Sequence, residues 1–196
     1  MTTPALTIGI LALQGAYEAH AQTLRMLGAT PKLVRTPEDL VGIAGLIMPG
    51  GESTTMLKFL ERDNFFEILK TFIATTPTFG TCAGAILLAT EVLSPTQKSL
   101  AALDIAVERN AYGRQIDSTI LTAPTTLPGG PLEMVFIRAP RITRTGPGVE
   151  TLATRDEFPV LVRSGHLLAA TFHPELSTDP RIHQLFLDLV AQHTKS

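Results

Sequence analysis

Residues 77–86 read Pro77-Thr78-Phe79-Gly80-Thr81-Cys82-Ala83-Gly84-Ala85-Ile86. A short β-prone run, Pro77 to Gly80, leads into the one cysteine of the chain, and a helix-forming run, Ala83 to Thr90, leaves it. Gly-x-Cys-x-Gly between a strand and a helix is the cysteine counterpart of a nucleophile elbow, a turn too sharp for bulky neighbours. A thiol held there sits at a helix N-terminus, where the helix dipole favours the reactive thiolate. The backbone N–H of Ala83 would point into the same space, placed to receive an oxyanion. A lone cysteine is otherwise most often one more small buried hydrophobe, and the two glycines weigh against that here.

Outward from the elbow, the first half alternates short apolar runs with amphipathic stretches. Strands are expected at Thr7 to Leu13, Lys32 to Arg35 and Ala44 to Met48. Helices are expected at Tyr17 to Leu27, Ser53 to Leu60 and Phe65 to Ile73, with a break near Asp63-Asn64. Such alternation predicts an α/β fold with a mostly parallel central sheet and helices on both faces. The second half carries extra short strands between turn-rich segments: Leu103 to Arg109, Gln115 to Leu121, Leu132 to Ile137, Thr151 to Arg155, Pro159 to Arg163 and Leu167 to Phe172. An amphipathic helix from Asp179 to His193 closes the chain. No repeat, low-complexity tract or linker interrupts residues 1–196, so a single domain is expected.

With 44% hydrophobic and 17% charged residues, the 196-residue chain has material for a sizeable core. Its net charge of -2, with basic residues scattered rather than blocked, offers no footprint for nucleic acid or an anionic membrane. No apolar run approaches the roughly 18 residues of a membrane-spanning helix. Met1 to Leu6 lacks the basic-then-apolar order of a secretory signal, and one cysteine makes no internal disulfide, so a cytoplasmic location is expected.

A thiol nucleophile needs a base. His20, His183 and His193 fall in or beside helical stretches and are expected to be solvated, while His166 follows the hairpin-like Ser164-Gly165. His173 differs, because it ends an apolar strand and precedes Pro174-Glu175. Side chains two apart on an extended segment share a side, so His173 would take the thiol proton while Glu175 orients and supports it. The histidines lack metal-ligand spacing with cysteine or carboxylates, so neither a metal nor another cofactor is expected.

Pro49-Gly50-Gly51-Glu52-Ser53-Thr54-Thr55 follows the third strand directly, at the edge where α/β sheets bind ligands. The N–H of Gly51 is a candidate second oxyanion donor, and Ser53 a candidate helix cap. The Walker pattern is absent, and Gly9 to Gly15 does not make a dinucleotide fingerprint; Gln14-Gly15 reads as a turn.

Pro-Gly-Gly, Gly-x-Cys-x-Gly and Phe172-His173-Pro174-Glu175, in that order, resemble the class I (triad) glutamine amidotransferases. Leu13-Gln14-Gly15, Glu52-Ser53-Thr54-Thr55, Val107-Glu108-Arg109-Asn110, Gly113-Arg114-Gln115 and Phe136-Ile137-Arg138-Ala139-Pro140 narrow the likeness to the glutaminase subunits of pyridoxal 5′-phosphate synthase. Ala85-Ile86 stands where subunits of nucleotide or histidine synthesis carry glutamine, and the likeness runs from about Ile8 to Leu189. It implies a flavodoxin-like three-layer fold and hydrolysis of L-glutamine to L-glutamate and ammonia by Cys82, His173 and Glu175. It further implies oxyanion donors at Gly51 and Ala83, and glutamine contacts at Gly51, Glu52, Ser53, Arg109, Ile137 and Arg138. The implied partner is the synthase subunit of a hetero-oligomer, which receives the ammonia and whose docking organises the Gly50-Gly51 peptide. Two other readings stay open: a flavodoxin-like cysteine hydrolase or stress protein, and a non-catalytic regulatory subunit.

Overall fold

The computed structural model describes residues 5–109 and 118–195. Five strands of the first half and its helices alternate: β1 (Thr7–Leu11), α1 (Tyr17–Met26), β2 (Thr30–Val34), β3 (Gly45–Met48), α2 (Ser53–Leu60), α3 (Phe65–Ile73), β4 (Thr78–Thr81), α4 (Ala83–Leu88) and β5 (Ala89–Leu93). The second half supplies β6 (Leu103–Glu108), β7 (Thr119–Ala123), β8 (Leu132–Phe136), β9 (Arg141–Thr145), β10 (Glu150–Arg155), β11 (Phe158–Ser164), β12 (Leu167–Ala170) and α5 (Arg181–His193).

The central sheet has the order β10-β11-β12-β4-β3-β1-β2. From β2 to β12 every neighbouring pair is parallel, and β11 and β10 extend it antiparallel. Its inner strands β1, β3, β4 and β12 are buried along nearly their whole length, as burial between two helical layers requires. In β3, Leu46 and Met48 face one core while Ile47 faces the other. The first core is closed by α2, α3, α4 and the small sheet β5-β6-β9. The second is closed by α1, α5 and the β7-β8 hairpin.

Local chemistry accounts for most boundaries. In α3, Phe65, Phe66, Leu69 and Ile73 are buried at helical spacing, and α5 does the same with Ile182, Phe186 and Val190. Asp63 (φ 52°) and Asn64 (φ 56°) break the chain between α2 and α3, in the left-handed region that Asp and Asn tolerate best after glycine. Gly165 (φ 54°) and His166 form the two-residue turn between β11 and β12.

Several expectations need correction. The helix after Cys82 ends at Leu88, because Ala89 and Val92 bury as β5 and pair with β6. The short strand β9 escapes sequence reading, since Ile142 is its one buried residue. The last strand of the parallel region stops at Ala170, short of Phe172. The start of the strand expected from Gln115, and the Gly113-Arg114-Gln115 motif, lie outside the described residues.

Two glycines make the crossing of α4 over the sheet possible. A Cβ on Gly84 would stand 1.9 Å from the Met48 carbonyl oxygen, and one on Gly80 2.6 Å from the Gly84 carbonyl carbon. Those obstacles are backbone atoms that no rotamer change removes. Gly84→Ala is therefore expected to cost about 3 kcal/mol or more in urea unfolding. Gly28→Ala, with open space around it and only a φ of 80° against it, is expected to cost about 1 kcal/mol. Equal losses for the two variants would contradict this packing.

Candidate active site

Four adjacent strands, β12, β4, β3 and β1, deliver their carboxyl ends to one rim of the sheet, where α/β folds place their sites. Cys82 leaves β4 with φ 47° and ψ −103°, a conformation that costs a non-glycine residue about 1–3 kcal/mol. Its N–H donates to the Ala170 carbonyl of β12 at 2.8 Å, and its side chain stands at the N-terminus of α4. The helix is one and a half turns of buried residues, Ala83 to Leu88, so the elbow is held from below by the core.

His173 comes from the segment that follows the neighbouring strand, β12. Its N–H donates to the Val135 carbonyl of β8 at 2.8 Å, and the next residues form a 3-10 turn, Pro174–Leu176. His173 and Glu175 therefore meet across a turn, rather than along an extended strand as expected. Proline at the first position presets φ for that turn. His173 Nδ1–H donates to Glu175 Oε1 at 2.7 Å, which leaves Nε2 for the thiol of Cys82 in the cavity the two residues share. Burial works against charge on His173, but hydrogen bonds and charge from Cys82 and Glu175 outweigh it and push its pKa up to about 10. Burial likewise opposes charge on Glu175, yet the hydrogen bond from His173, with help from His20, holds it below the usual carboxylate range.

The glycine loop lies on the other side of the elbow. The Gly50 carbonyl accepts from the Ala16 N–H at 3.2 Å, and Gln14 Oε1 accepts from the Glu52 N–H at 2.7 Å. Gly15 (φ 96°) is pressed so close that a Cβ there would stand 1.8 Å from the Gly50 oxygen. Gln14 thus ties the loop after β1 to the loop after β3, a role that reading it as a plain turn residue overlooks. Ser53 does not cap α2; its hydroxyl donates to Gln97 Oε1 at 2.8 Å. The Glu52 carboxylate instead accepts from Thr54 and Thr55.

A cavity of about 260 Å³ opens over the thiol, lined by Gly51, Glu52, Ser53, Cys82, Ile86, Arg109, Ile137, Arg138 and His173. The structure thus brings together all six residues expected to contact a substrate with two of the three expected catalytic ones. Glu175 stands behind His173 with its side chain fully buried, and Ala83 is buried at the first position of α4. Ile86, one turn further along α4, was not anticipated as a wall. Arg109 follows β6 and Arg138 follows β8, and neither has an ion pair among the described residues. A buried thiol and imidazole in one cavity with two guanidiniums suit acyl transfer from a small carboxylate-bearing molecule. Among the described residues no group of three or more His, Cys, Asp or Glu side chains is arranged to hold a metal, and no helix is long and apolar enough to cross a membrane.

His20 and His183 overturn the expectation of solvated surface histidines: both are fully buried. They lie behind the site, with His20 against Glu175, and burial so complete was not visible in their helical sequence context. His193 is exposed, as expected.

Residues 10–192 match the SNO glutamine amidotransferase family. A Koribacter versatilis protein named pyridoxal 5′-phosphate synthase subunit PdxT is 61% identical over 185 residues, 94% of this chain and 96% of that protein. Proteins of the same name from Solibacter usitatus (51% identity, 92% and 97% of the two chains) and Deinococcus radiodurans (49%, 95% and 98%) are similar along their length. A solved structure described as a glutamine amidotransferase superposes with a TM-score of 0.88 at 45% identity, covering 94% of this chain and 98% of its own. A putative GMP synthase component from Thermoplasma acidophilum has a TM-score of 0.74 at 16% identity, over 99% and 98% of the two chains, and shares the fold. With the elbow, the histidine–glutamate pair and the glycine loop all within the matched span, the chain belongs to the SNO glutamine amidotransferase family.

Proposed function

We propose that this chain is the glutaminase subunit of a pyridoxal 5′-phosphate synthase, hydrolysing L-glutamine to L-glutamate and ammonia with Cys82 as nucleophile, His173 as base and Glu175 as its orienting carboxylate. The observation that carries the chemistry is the elbow: Cys82 is strained into the floor of an amino-acid-sized cavity that it shares with an imidazole already fixed by Glu175. The full-length likeness to proteins named PdxT supports the biosynthetic setting. On this reading residues 1–196 act as one amidotransferase domain in the cytoplasm, where a single thiol stays reduced.

The Cys82 thiolate attacks the side-chain amide carbon of glutamine, and the developing oxyanion takes hydrogen bonds from the N–H groups of Ala83 and Gly51. His173, protonated in the ion pair, gives its proton to the leaving nitrogen, so ammonia departs and a glutamyl thioester remains. Water loses a proton to His173 and adds to the thioester; collapse expels the Cys82 thiolate, the carboxyl proton leaves with the products as glutamate and ammonium, and the thiolate–imidazolium pair is restored. Arg109 and Arg138 hold the α-carboxylate, Glu52 the α-ammonium, and Ser53 and Ile137 complete the wall. The Gly50 carbonyl, anchored to Ala16, sets one orientation of the Gly50-Gly51 peptide; docking of the synthase subunit selects the orientation that aims the Gly51 N–H at the oxyanion.

Glutamate release, measured with and without the synthase subunit, is expected to rise on docking and to fall by about 10⁴-fold or more in Cys82→Ala. Equal kcat for the free and docked subunit would refute the docking-dependent loop. Arg109→Ala and Arg138→Ala are each expected to raise KM for glutamine about 10–100-fold, the worth of one charge-assisted hydrogen bond.

Because the folded pKa of His173 lies above its ordinary 6.5, its imidazolium contributes stability that is fully present below pH 6.5 and is lost as pH rises through about 10. NMR of the ring nitrogens is expected to find His173 still protonated at pH about 8 and to find its pKa lowered in Cys82→Ala. A ring already neutral at that pH in the native chain would contradict the ion pair.

A further inference from the structure

Glu175 has two oxygens, and the triad uses one. Oε1 accepts from His173, while Oε2 is buried with no conventional hydrogen-bond partner among the described residues. What faces it is His20 of α1, whose Nε2 stands 3.4 Å from Oε2 and 3.3 Å from the Thr81 hydroxyl, next to Cys82. The other nitrogen of His20, Nδ1, is 2.9 Å from Nε2 of His183 on α5. Both imidazoles are fully buried, and both lie against Phe79 of β4 in edge-on contacts.

We infer that His20, itself oriented by His183, is a positioning residue for the glutaminase reaction: its Nε2–H fixes the second oxygen of Glu175 and so holds the His173 ring in line with Cys82. The inference rests on the glutaminase reading of the triad.

The direction of the protons follows from hydrogen-bond accounting. If His20 carried its proton on Nδ1, its bare Nε2 could accept from the Thr81 hydroxyl but would face the Glu175 oxygen lone pair against lone pair. His183 would then accept at Nε2 and carry its own proton on Nδ1, which has no partner among the described residues. A buried, unpaired N–H is among the costlier defects in a core. With the protons reversed, His183 Nε2–H donates to His20 Nδ1 and His20 Nε2–H donates toward Glu175 Oε2 and Thr81 Oγ1. The atom left over is a bare Nδ1 lone pair on His183, which is cheaper to leave unmet. Every proton in the chain then points at the carboxylate.

The pair acts as neutral rings. Burial lowers the pKa of His20, against the pull of Glu175 and with the help of His173. Burial, then His20, lowers His183 to about 3, against Glu175. These are the titratable groups that bear on the two rings from α1, α5 and the turn after β12. His20 therefore supports Glu175 through an N–H dipole rather than a full charge, and the support does not switch off across the working pH range. A doubly buried ring pair also joins α1 to α5, which pack on the same core, so the donor cannot drift from the carboxylate.

The test compares amide isosteres. Glutamine at position 20 places its amide nitrogen near the position of Nε2, facing Glu175; asparagine places it near Nδ1, facing His183. In the complex with the synthase subunit, His20→Leu and His20→Asn are expected to lower kcat for glutamine hydrolysis about 10–100-fold with KM within about 2-fold of the native value. His20→Gln is expected to keep kcat within a few-fold of the native value. In parallel, the pH at which iodoacetamide alkylation of Cys82 falls off is expected to move up in the Leu and Asn variants and to stay put in the Gln variant, since a loosened His173 supports the thiolate less. The alkylation reads the ion pair without glutamine, so it decides the positioning role even if the native complex shows no Cys82-dependent turnover, which would sink the glutaminase reading instead. Gln and Asn variants that behave alike, or a folded variant with lowered kcat and an unmoved alkylation profile, would overturn the inference. Should His20→Leu fail to fold, the Gln and Asn pair carries the decision alone.

Discussion

The backbone turn at Cys82 is the constraint on which the rest of the site depends. A residue with a side chain is held at φ 47° and ψ −103°, where only glycine is comfortable, and it stays there because its surroundings leave no alternative. Gly80 and Gly84 are in contact distance of one another's backbone, Gly84 lies on the Met48 carbonyl, and the α4 residues that follow are all buried. Given that turn at the end of β4, the neighbours are dictated by sheet order. The loop after β12 brings the histidine on one side, the loop after β3 brings the glycines on the other, and β1 adds Gln14 one strand further out.

Much of this was legible in the sequence because its signals are local. The elbow is spelled by glycines two residues either side of a cysteine, and the parallel sheet by alternating apolar runs and amphipathic helices. His173 and Glu175 were legible through their spacing, though the geometry that joins them is a proline-started 3-10 turn rather than an extended strand. What sequence could not supply is burial decided by distant packing. His20 and His183 are 163 residues apart and meet only when α1 and α5 cover the same face, so their helical context read as solvated. The strand β5 was absorbed into the preceding helix for a similar reason: its pairing with β6, not its own composition, makes it a strand.

The electrostatics of the site divide along its depth. At the mouth, Arg138 is exposed and Arg109 partly so, and cations there recognise charge at little desolvation cost. At the floor, Glu175 and His173 are buried, where an unpaired charge would be expensive and a paired one is strongly oriented. Burial alone would neutralise both groups; their hydrogen bond and the thiol reverse that, and the result is an imidazolium whose direction is set before substrate arrives. Gln14 and the Ala16 N–H tie the glycine loop to the loop after β1, so the Gly50-Gly51 peptide and Cys82 are braced by different strands of one sheet.

The claim that the strained elbow makes Cys82 a nucleophile for the side-chain amide of glutamine is tested most directly by mass spectrometry after exposure to a diazoketone analogue of L-glutamine. The expected result is one covalent adduct, on the peptide that contains Cys82, suppressed by excess L-glutamine and not by D-glutamine. No adduct on a folded chain docked to its synthase subunit, or labelling that glutamine does not suppress, would contradict it.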